Sequence, residues 1–262
     1  MRRLVFAMFL CLLCIQGPTA RAEDVVPIPV LNYHRFGPRV ADSMTVTTAV
    51  FEAQLKWLAD NGYTVIPLRT LVDYLRGIGP PPPAKAVVIT ADDGHKSVYT
   101  DMLPIVRRLN IPVTLFIYPS AISNASYALT WEQLQALRQT GLFDIQSHTL
   151  WSPNFKKERK KLPTEAYQKF VQDQLAKSKS ILEQKLGERI DMLAWPFGIY
   201  DGDLEKAAEN AGYIAAFSID RRHADVGERL MAQPRYLMVN GDGVKGLAAI
   251  INGRAASGKK FN

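Results

Sequence analysis

Along the chain, short apolar and β-branched runs alternate with longer stretches of helical period. The runs Val30 to Tyr33, Thr64 to Ile66, Ala86 to Thr90, Val113 to Ile117, Phe143 to Gln146, Met192 to Trp195, Ile214 to Phe217 and Tyr236 to Val239 predict strands. Pro27 and Pro29 precede the first of these, where a missing N–H costs no ladder bond. Helices are predicted for Thr48 to Asn61, with Phe51, Leu55 and Leu58 on one face, and for Thr130 to Gln139, where Thr130 and Gln133 form a capping box. The remaining helical stretches are Arg69 to Arg76, Tyr99 to Leu109, Thr164 to Leu186, Asp201 to Asn210 and Lys245 to Ile251. Repeated alternation of this kind predicts one α/β domain, residues 23–262, whose mostly parallel sheet closes or nearly closes into a barrel. Residues Pro80 to Pro83 form a stiff connection into the third strand, and a loose tail is expected from Gly253 onward.

The first 22 residues change the picture of where the protein works. Arg2 and Arg3, the apolar run Leu4 to Ile15 and Ala20-Arg21-Ala22 read as a secretory signal peptide cut after Ala22, giving a periplasmic or secreted protein. No segment reaches the ~20 apolar residues of a membrane helix, so no membrane span is expected. Both cysteines, Cys11 and Cys14, fall in the leader, and 240 residues bury a sufficient core without disulfides. The net charge of +7 falls to +4 once Arg2, Arg3 and Arg21 are removed, leaving 29 basic against 25 acidic residues. Nucleic acid is not indicated as a partner. The run Lys156, Lys157, Arg159, Lys160 and Lys161 reads as a solvated face more readily than as a polymer-binding patch.

The chemistry is concentrated where strands end. Val30 to Tyr33 runs into His34, Ala86 to Thr90 into Asp92, Asp93 and Gly94, Phe143 to Gln146 into His148, and Met192 to Trp195 into Pro196 and Gly198. In a (β/α) barrel these C-terminal strand ends share one rim, where active sites are built. Adjacent carboxylates on extended backbone point different ways, so one of Asp92 and Asp93 can bind a metal while the other acts as a base. The alternative is an Asp-Gly turn after a strand. With His148 on another strand end, a carboxylate-imidazole metal site is the better reading. There is no Gly-x-Ser-x-Gly elbow to support a serine esterase.

These residues resemble the polysaccharide deacetylases of carbohydrate esterase family four. Thr90-Ala91-Asp92-Asp93-Gly94 is similar to the family's Thr-Phe-Asp-Asp-Gly motif, and His148-Thr149-Leu150-Trp151-Ser152-Pro153 to its His-Ser/Thr-x-x-His-Pro motif with Ser152 at the second histidine. Ala194-Trp195-Pro196-Phe197-Gly198 resembles the Arg-x-Pro-x-Gly motif with Ala194 at the arginine. Leu31-Asn32-Tyr33-His34 resembles the opening strand of the branch acting on poly-β-1,6-N-acetylglucosamine. The resemblance implies a distorted (β/α) barrel and a hydrolase that removes N-acetyl groups from an amino-sugar polysaccharide of the cell envelope. It implies Asp92 as general base, Asp93 and His148 as ligands of a divalent metal of the zinc type, and Ser152 at a third, weakened ligand position. The usual late Leu-x-His is absent, the last strand ending Leu237-Met238-Val239-Asn240. His34 is then the candidate general acid, or else a strand-end histidine bonded to backbone. Trp151, Trp195, Pro196 and Phe197 are the candidate substrate-binding residues, with Tyr118 also placed to stack on a sugar. His95 and His223 are expected to face solvent, and Trp57 and Trp131 to belong to the core. The alternative function is a catalytically silent glycan-binding protein that has lost a metal ligand at Ser152.

Overall fold

In the computed structural model, which describes residues 27–253, every ladder between strands is parallel. The expected leader lies outside the described residues, as does the expected tail beyond Gly253. The strands are β1 (Val30–Tyr33), β2 (Arg35–Gly37), β3 (Thr45–Thr47), β4 (Thr64–Val65), β5 (Ala86–Asp92), β6 (Val113–Ile117), β7 (Phe143–Ser147), β8 (Met192–Ala194), β9 (Ala215–Phe217) and β10 (Tyr236–Leu237). The helices are α1 (Thr48–Asp60), α2 (Leu68–Leu75), α3 (Leu103–Leu109), α4 (Trp131–Gln139), α5 (Phe155–Lys161), α6 (Thr164–Leu186), α7 (Gly202–Asn210) and α8 (Gly243–Ile251).

The main sheet runs β10-β1-β5-β6-β7-β8-β9, with β4 paired to the start of β5. Its two ends are joined by one extended segment. Gln233 bridges Phe217 of β9, and three residues later Tyr236 pairs with Leu31 of β1. The result is a distorted (β/α) barrel, as expected. The strands β5 and β6 are buried along their whole length because side chains meet the barrel interior on one face and helices on the other. Two apolar clusters follow from this alternation. The larger joins Leu31, Ile89, Leu115 and Ile145 to the helices, while Val30, Val88, Phe116, Ala194 and Phe217 form the smaller.

The predicted elements are present with shifts of a residue or two at their ends, including the Thr130–Gln133 capping box. In place of one helix over Tyr99 to Leu109, the chain makes a π-turn at Val98–Met102 and then α3. Three elements were not anticipated: β2, β3 and α5. Only Phe155 of α5 is buried, so the helix carries no apolar period, and its basic residues are held by the Asn154 cap, which accepts from Lys157 N at 2.9 Å.

Candidate active site

β5 extends through Asp92, and the chain turns at once. Asp93 and Gly94 have φ of 73° and 70°, and a Cβ on Gly94 would lie 2.8 Å from Ile117 Cδ1, so the turn after the strand requires glycine there. The Asp-Gly turn and the paired carboxylates are therefore one feature. Asp92 points into the barrel and is buried, whereas Asp93 keeps 25% side-chain exposure at the rim.

The Asp92 carboxylate accepts three bonds from groups that are themselves buried and hydrogen-bonded. Arg235 Nη1 and Nη2 donate to Oδ1 and Oδ2 at 2.8 Å each, and Asn32 Nδ2 donates to Oδ2 at 2.9 Å. Arg235 is fully buried; its Nε donates to Ser218 O at 3.0 Å and its guanidinium lies 5.1 Å from the centre of the Phe116 ring. Burial pushes the Asp92 carboxyl up, but the charges of Arg235, His148 and His34 and the bonds from Arg235 outweigh it and hold the group at about 2. Neither Arg235 nor Asn32 was singled out from the sequence. The available signal was an arginine directly ahead of the last apolar run, in Gln233-Pro234-Arg235-Tyr236. Arg235 sits in the segment that closes the barrel. It thus delivers a guanidinium to Asp92 from a different segment than β8, which bears Ala194, whose small side chain packs in the Phe116–Phe217 cluster.

His148 follows β7 and reaches the same rim. Its Nδ1 lies 2.8 Å from Ala194 O, which can only accept, so Nδ1 carries the proton and Nε2 presents a lone pair. That nitrogen faces Asp93 Oδ1 at 3.6 Å. Two acceptors so placed repel one another unless a proton or a cation lies between them. Donors bound to one tetrahedral ion at ~2.1 Å stand ~3.4 Å apart. The pair thus fits two corners of a divalent-metal site. Among the described residues no group of three or more His, Cys, Asp or Glu side chains could hold an ion, so further corners fall to neutral oxygens or water. Ser152, at φ 60°, donates its backbone N–H to Thr149 Oγ1 at 3.2 Å, and Asn154 is occupied as the α5 cap.

His34 ends β1 beside the end of β5. Its Nδ1 is buried without a hydrogen-bond partner among the described residues, which does not match the expected alternative of a backbone-bonded histidine. Burial pushes its pKa down, against the opposing pull of Asp92 and Asp93.

The four expected substrate-binding residues divide. Trp151 and Phe197 are 44% and 61% exposed on the rim. Trp195 and Pro196 are buried: the Trp195 indole donates Nε1 to Met231 O at 2.8 Å and meets Phe155 edge-on, so it is a packing residue and not a platform. Tyr118 bonds Tyr127 through its hydroxyl at 2.8 Å and lies beside the His148 ring, centroids 6.3 Å apart. His95 and His223 do not simply face solvent. Each is half-buried and bonded, His95 Nδ1 to Ser97 Oγ at 2.8 Å and His223 Nδ1 to Tyr236 OH at 2.9 Å.

Among the described residues, six other than glycine have positive φ, and four of them, Asp93, Thr149, Ser152 and Phe197, belong to this rim. Backbone strain concentrated on one cluster is the pattern of a functional site.

Comparison with known proteins agrees with this geometry. The polysaccharide deacetylase family profile matches residues 79–216, which contain Asp92, Asp93, His148 and Ala194. The Bacillus subtilis protein YxkH, named for that family, is 30% identical over 194 residues, 74% of this chain and 64% of its own length. The poly-β-1,6-N-acetyl-D-glucosamine N-deacetylase of Staphylococcus epidermidis is 25% identical over 80% of this chain and 78% of its own. The Escherichia coli K12 enzyme of the same name is 24% identical over 83% of this chain but only 37% of its own. The chain thus spans under two thirds of YxkH and little more than a third of the Escherichia coli protein. Among solved structures, the Streptococcus pyogenes deacetylase PplD superposes with a TM-score of 0.77 at 21% identity, covering 87% of this chain and 99% of that one, and shares the fold. With more than half of its length matched and the aspartate pair, the imidazole and the parallel barrel in place, the chain belongs to the polysaccharide deacetylase family.

Proposed function

We propose that this protein hydrolyses N-acetyl groups from an amino-sugar polymer of the cell envelope outside the cytoplasm, with a divalent metal held by Asp93 and His148. The observation carrying this reading is the paired arrangement at the rim: a carboxylate locked in its ionised form by Arg235, next to two donors facing each other across 3.6 Å. The named activity of the Staphylococcus epidermidis and Escherichia coli relatives supports the substrate class.

When bound at these residues, a divalent cation supplies Lewis-acid polarisation of an acetyl carbonyl and acidifies a water in the site. Asp92 accepts the proton of the attacking water. A carboxyl held at about 2 is a weak base, so it takes that proton only from a water already made acidic, which couples its role to the neighbouring Asp93–His148 pair. Arg235 and Asn32 fix the orientation of the carboxylate by donating to both of its oxygens. Burial keeps the His34 imidazole neutral near pH 7, so it acts as general acid only after taking up the proton that Asp92 accepts from the water, which it then passes to the departing sugar amine. Trp151 and Phe197 flank the opening with apolar faces suited to sugar rings.

Metal analysis of the purified full chain, together with acetate release from N-acetylated amino-sugar oligomers, tests this. We expect bound zinc or a similar ion, acetate release abolished by chelation, and loss of both in Asp93→Asn. A protein that binds oligomers yet holds no metal and releases no acetate overturns the proposal and restores the silent glycan-binding alternative.

A further inference from the structure

The basic run beside the His148 motif does not lie on a convex face. Helix α5 forms one wall of a groove of about 740 Å³ whose other wall is the loop Phe197 to Asp201. Lys156, Lys157, Arg159 and Lys160 line it, against one carboxylate, Asp201, which is already engaged by Arg159 at 3.2 Å. Lys156, Lys157 and Lys160 are exposed and have no carboxylate within 4.0 Å among the described residues. By contrast, Lys161 on the same helix is paired, with Glu158 at 2.7 Å. The uncompensated charge is therefore the part that faces the groove.

The opposite wall holds an aromatic side chain that a tight turn lifts out of the core instead of burying. Phe197 is 61% exposed and has φ of 57°, in the left-handed region that L-residues seldom adopt, at the third position of the turn that Gly198 N–H closes onto Trp195 O at 2.9 Å. The geometry next to it is tightly set: a Cβ on Gly198 would lie 2.4 Å from Ile219 Cγ1. An aromatic ring held in water on strained backbone, facing three free cations, is a combination that a ligand with an apolar face and negative charge would satisfy. The groove also adjoins the candidate site. Asn154 lies two residues beyond Ser152, and Ala194, three residues before Phe197, accepts from His148.

We propose that this groove is a subsite for an acidic sugar unit, its ring against Phe197 and its carboxylate or phosphate among Lys156, Lys157 and Lys160. The substrate class is then a polymer in which N-acetylated amino sugars alternate with anionic groups. A fully deacetylated strand, carrying ammonium groups, is repelled from the same surface. The identity of the reacting unit rests on the deacetylase reading; the charge selectivity of the groove does not.

The experiment measures Kd by titration of the full chain with four N-acetylated amino-sugar oligomers of equal length: neutral, carboxylate-bearing, phosphate-bearing and de-N-acetylated. The same four are assayed for acetate release. At low salt the better acidic oligomer is expected to bind about tenfold tighter than the neutral one, with the advantage shrinking as salt rises. The carboxylate and phosphate arms identify which anion is read. The triple variant Lys156→Ala, Lys157→Ala, Lys160→Ala, checked for native folding by thermal unfolding, should bring the ratio of acidic to neutral Kd to about one. Equal binding of acidic and neutral oligomers overturns the subsite, as does a ratio unmoved in the triple variant. Lysine-dependent binding of anionic lipid vesicles without preference among oligomers overturns it in favour of a membrane surface. Acidic preference without acetate release from any oligomer keeps the subsite and overturns the deacetylase reading, so the two fail separately.

Discussion

Removing Arg235 is the most informative perturbation, because its side chain holds the Asp92 carboxylate and sits in the segment that closes the barrel. Arg235→Ala deletes the two 2.8 Å bonds to Asp92, the 3.2 Å bond to Thr90 Oγ1 and the 3.0 Å bond to Ser218 O, all buried. Asn32 then remains as the single donor to a carboxylate that is 2% exposed. Breaking a buried ion pair from one side costs about 3–5 kcal/mol, a large share of a typical domain's 5–15 kcal/mol. The sign with pH follows from the direction of the shift. In the intact protein the Asp92 carboxyl is lowered from its ordinary 3.8 to about 2, burial being outweighed by Arg235 together with His148 and His34, so its surroundings as a whole contribute about 2 kcal/mol above pH ~4, a contribution lost as pH falls through ~2. In the variant, burial without the guanidinium raises the same carboxyl, and protonation relieves the unpaired charge. The deficit of the variant should therefore be largest near neutral pH and narrow toward pH 3. Urea unfolding of both proteins at a series of pH values measures it, and acetate release should fall about a hundredfold at pH 7. A deficit under about 1 kcal/mol, or one that stays constant from pH 7 to 3, refutes the reasoning. Arg235→Lys should recover part of the stability but little activity, since an ammonium cannot span both carboxylate oxygens.

Ser152→His should raise metal affinity at least about tenfold, measured by competition with a chelating dye, since histidine tolerates the positive φ of 60° there and adds an imidazole donor. No gain in affinity would mean that position 152 does not face Asp93 and His148. Trp195→Phe should lower stability by about 1–3 kcal/mol by leaving Met231 O without its donor, while oligosaccharide Kd stays unchanged; a large loss of binding would return Trp195 to the substrate surface.

The strand ends were legible because they combine a short apolar run with a following polar residue that has no packing reason to be there. Asp92, Asp93 and His148 each stand out in this way, and the rim brings all three together. Trp195 did not yield to the same reasoning: a tryptophan within the motif at a strand end reads as a substrate-binding residue, and only the fold reveals the Met231 carbonyl that draws its indole inward. Helix α5 was missed because one buried residue, Phe155, is all that anchors it, leaving charge without period.

The arginine is the deeper case. Position 194 lacks the side chain that the family motif supplies, and a reading confined to that position counts the site as weakened. The proposed reaction calls for a guanidinium at the Asp92 carboxylate, and here it arrives from the segment that closes the barrel. The segment from Gln233 to Tyr236 bridges β9 and β1, so a residue in its middle points at whatever the ends of β1 and β5 place inside. Arg235 occupies that place, satisfied by Ser218 O and Thr90 Oγ1 as well as by Asp92. With Ala194 small, the space inside the barrel is free for an arginine entering from the closing strand, and its backbone carbonyl still orients His148. Restoring an arginine at 194 in the presence of Arg235 would bury a second guanidinium against one carboxylate, so Ala194→Arg should destabilise the protein although it restores the motif.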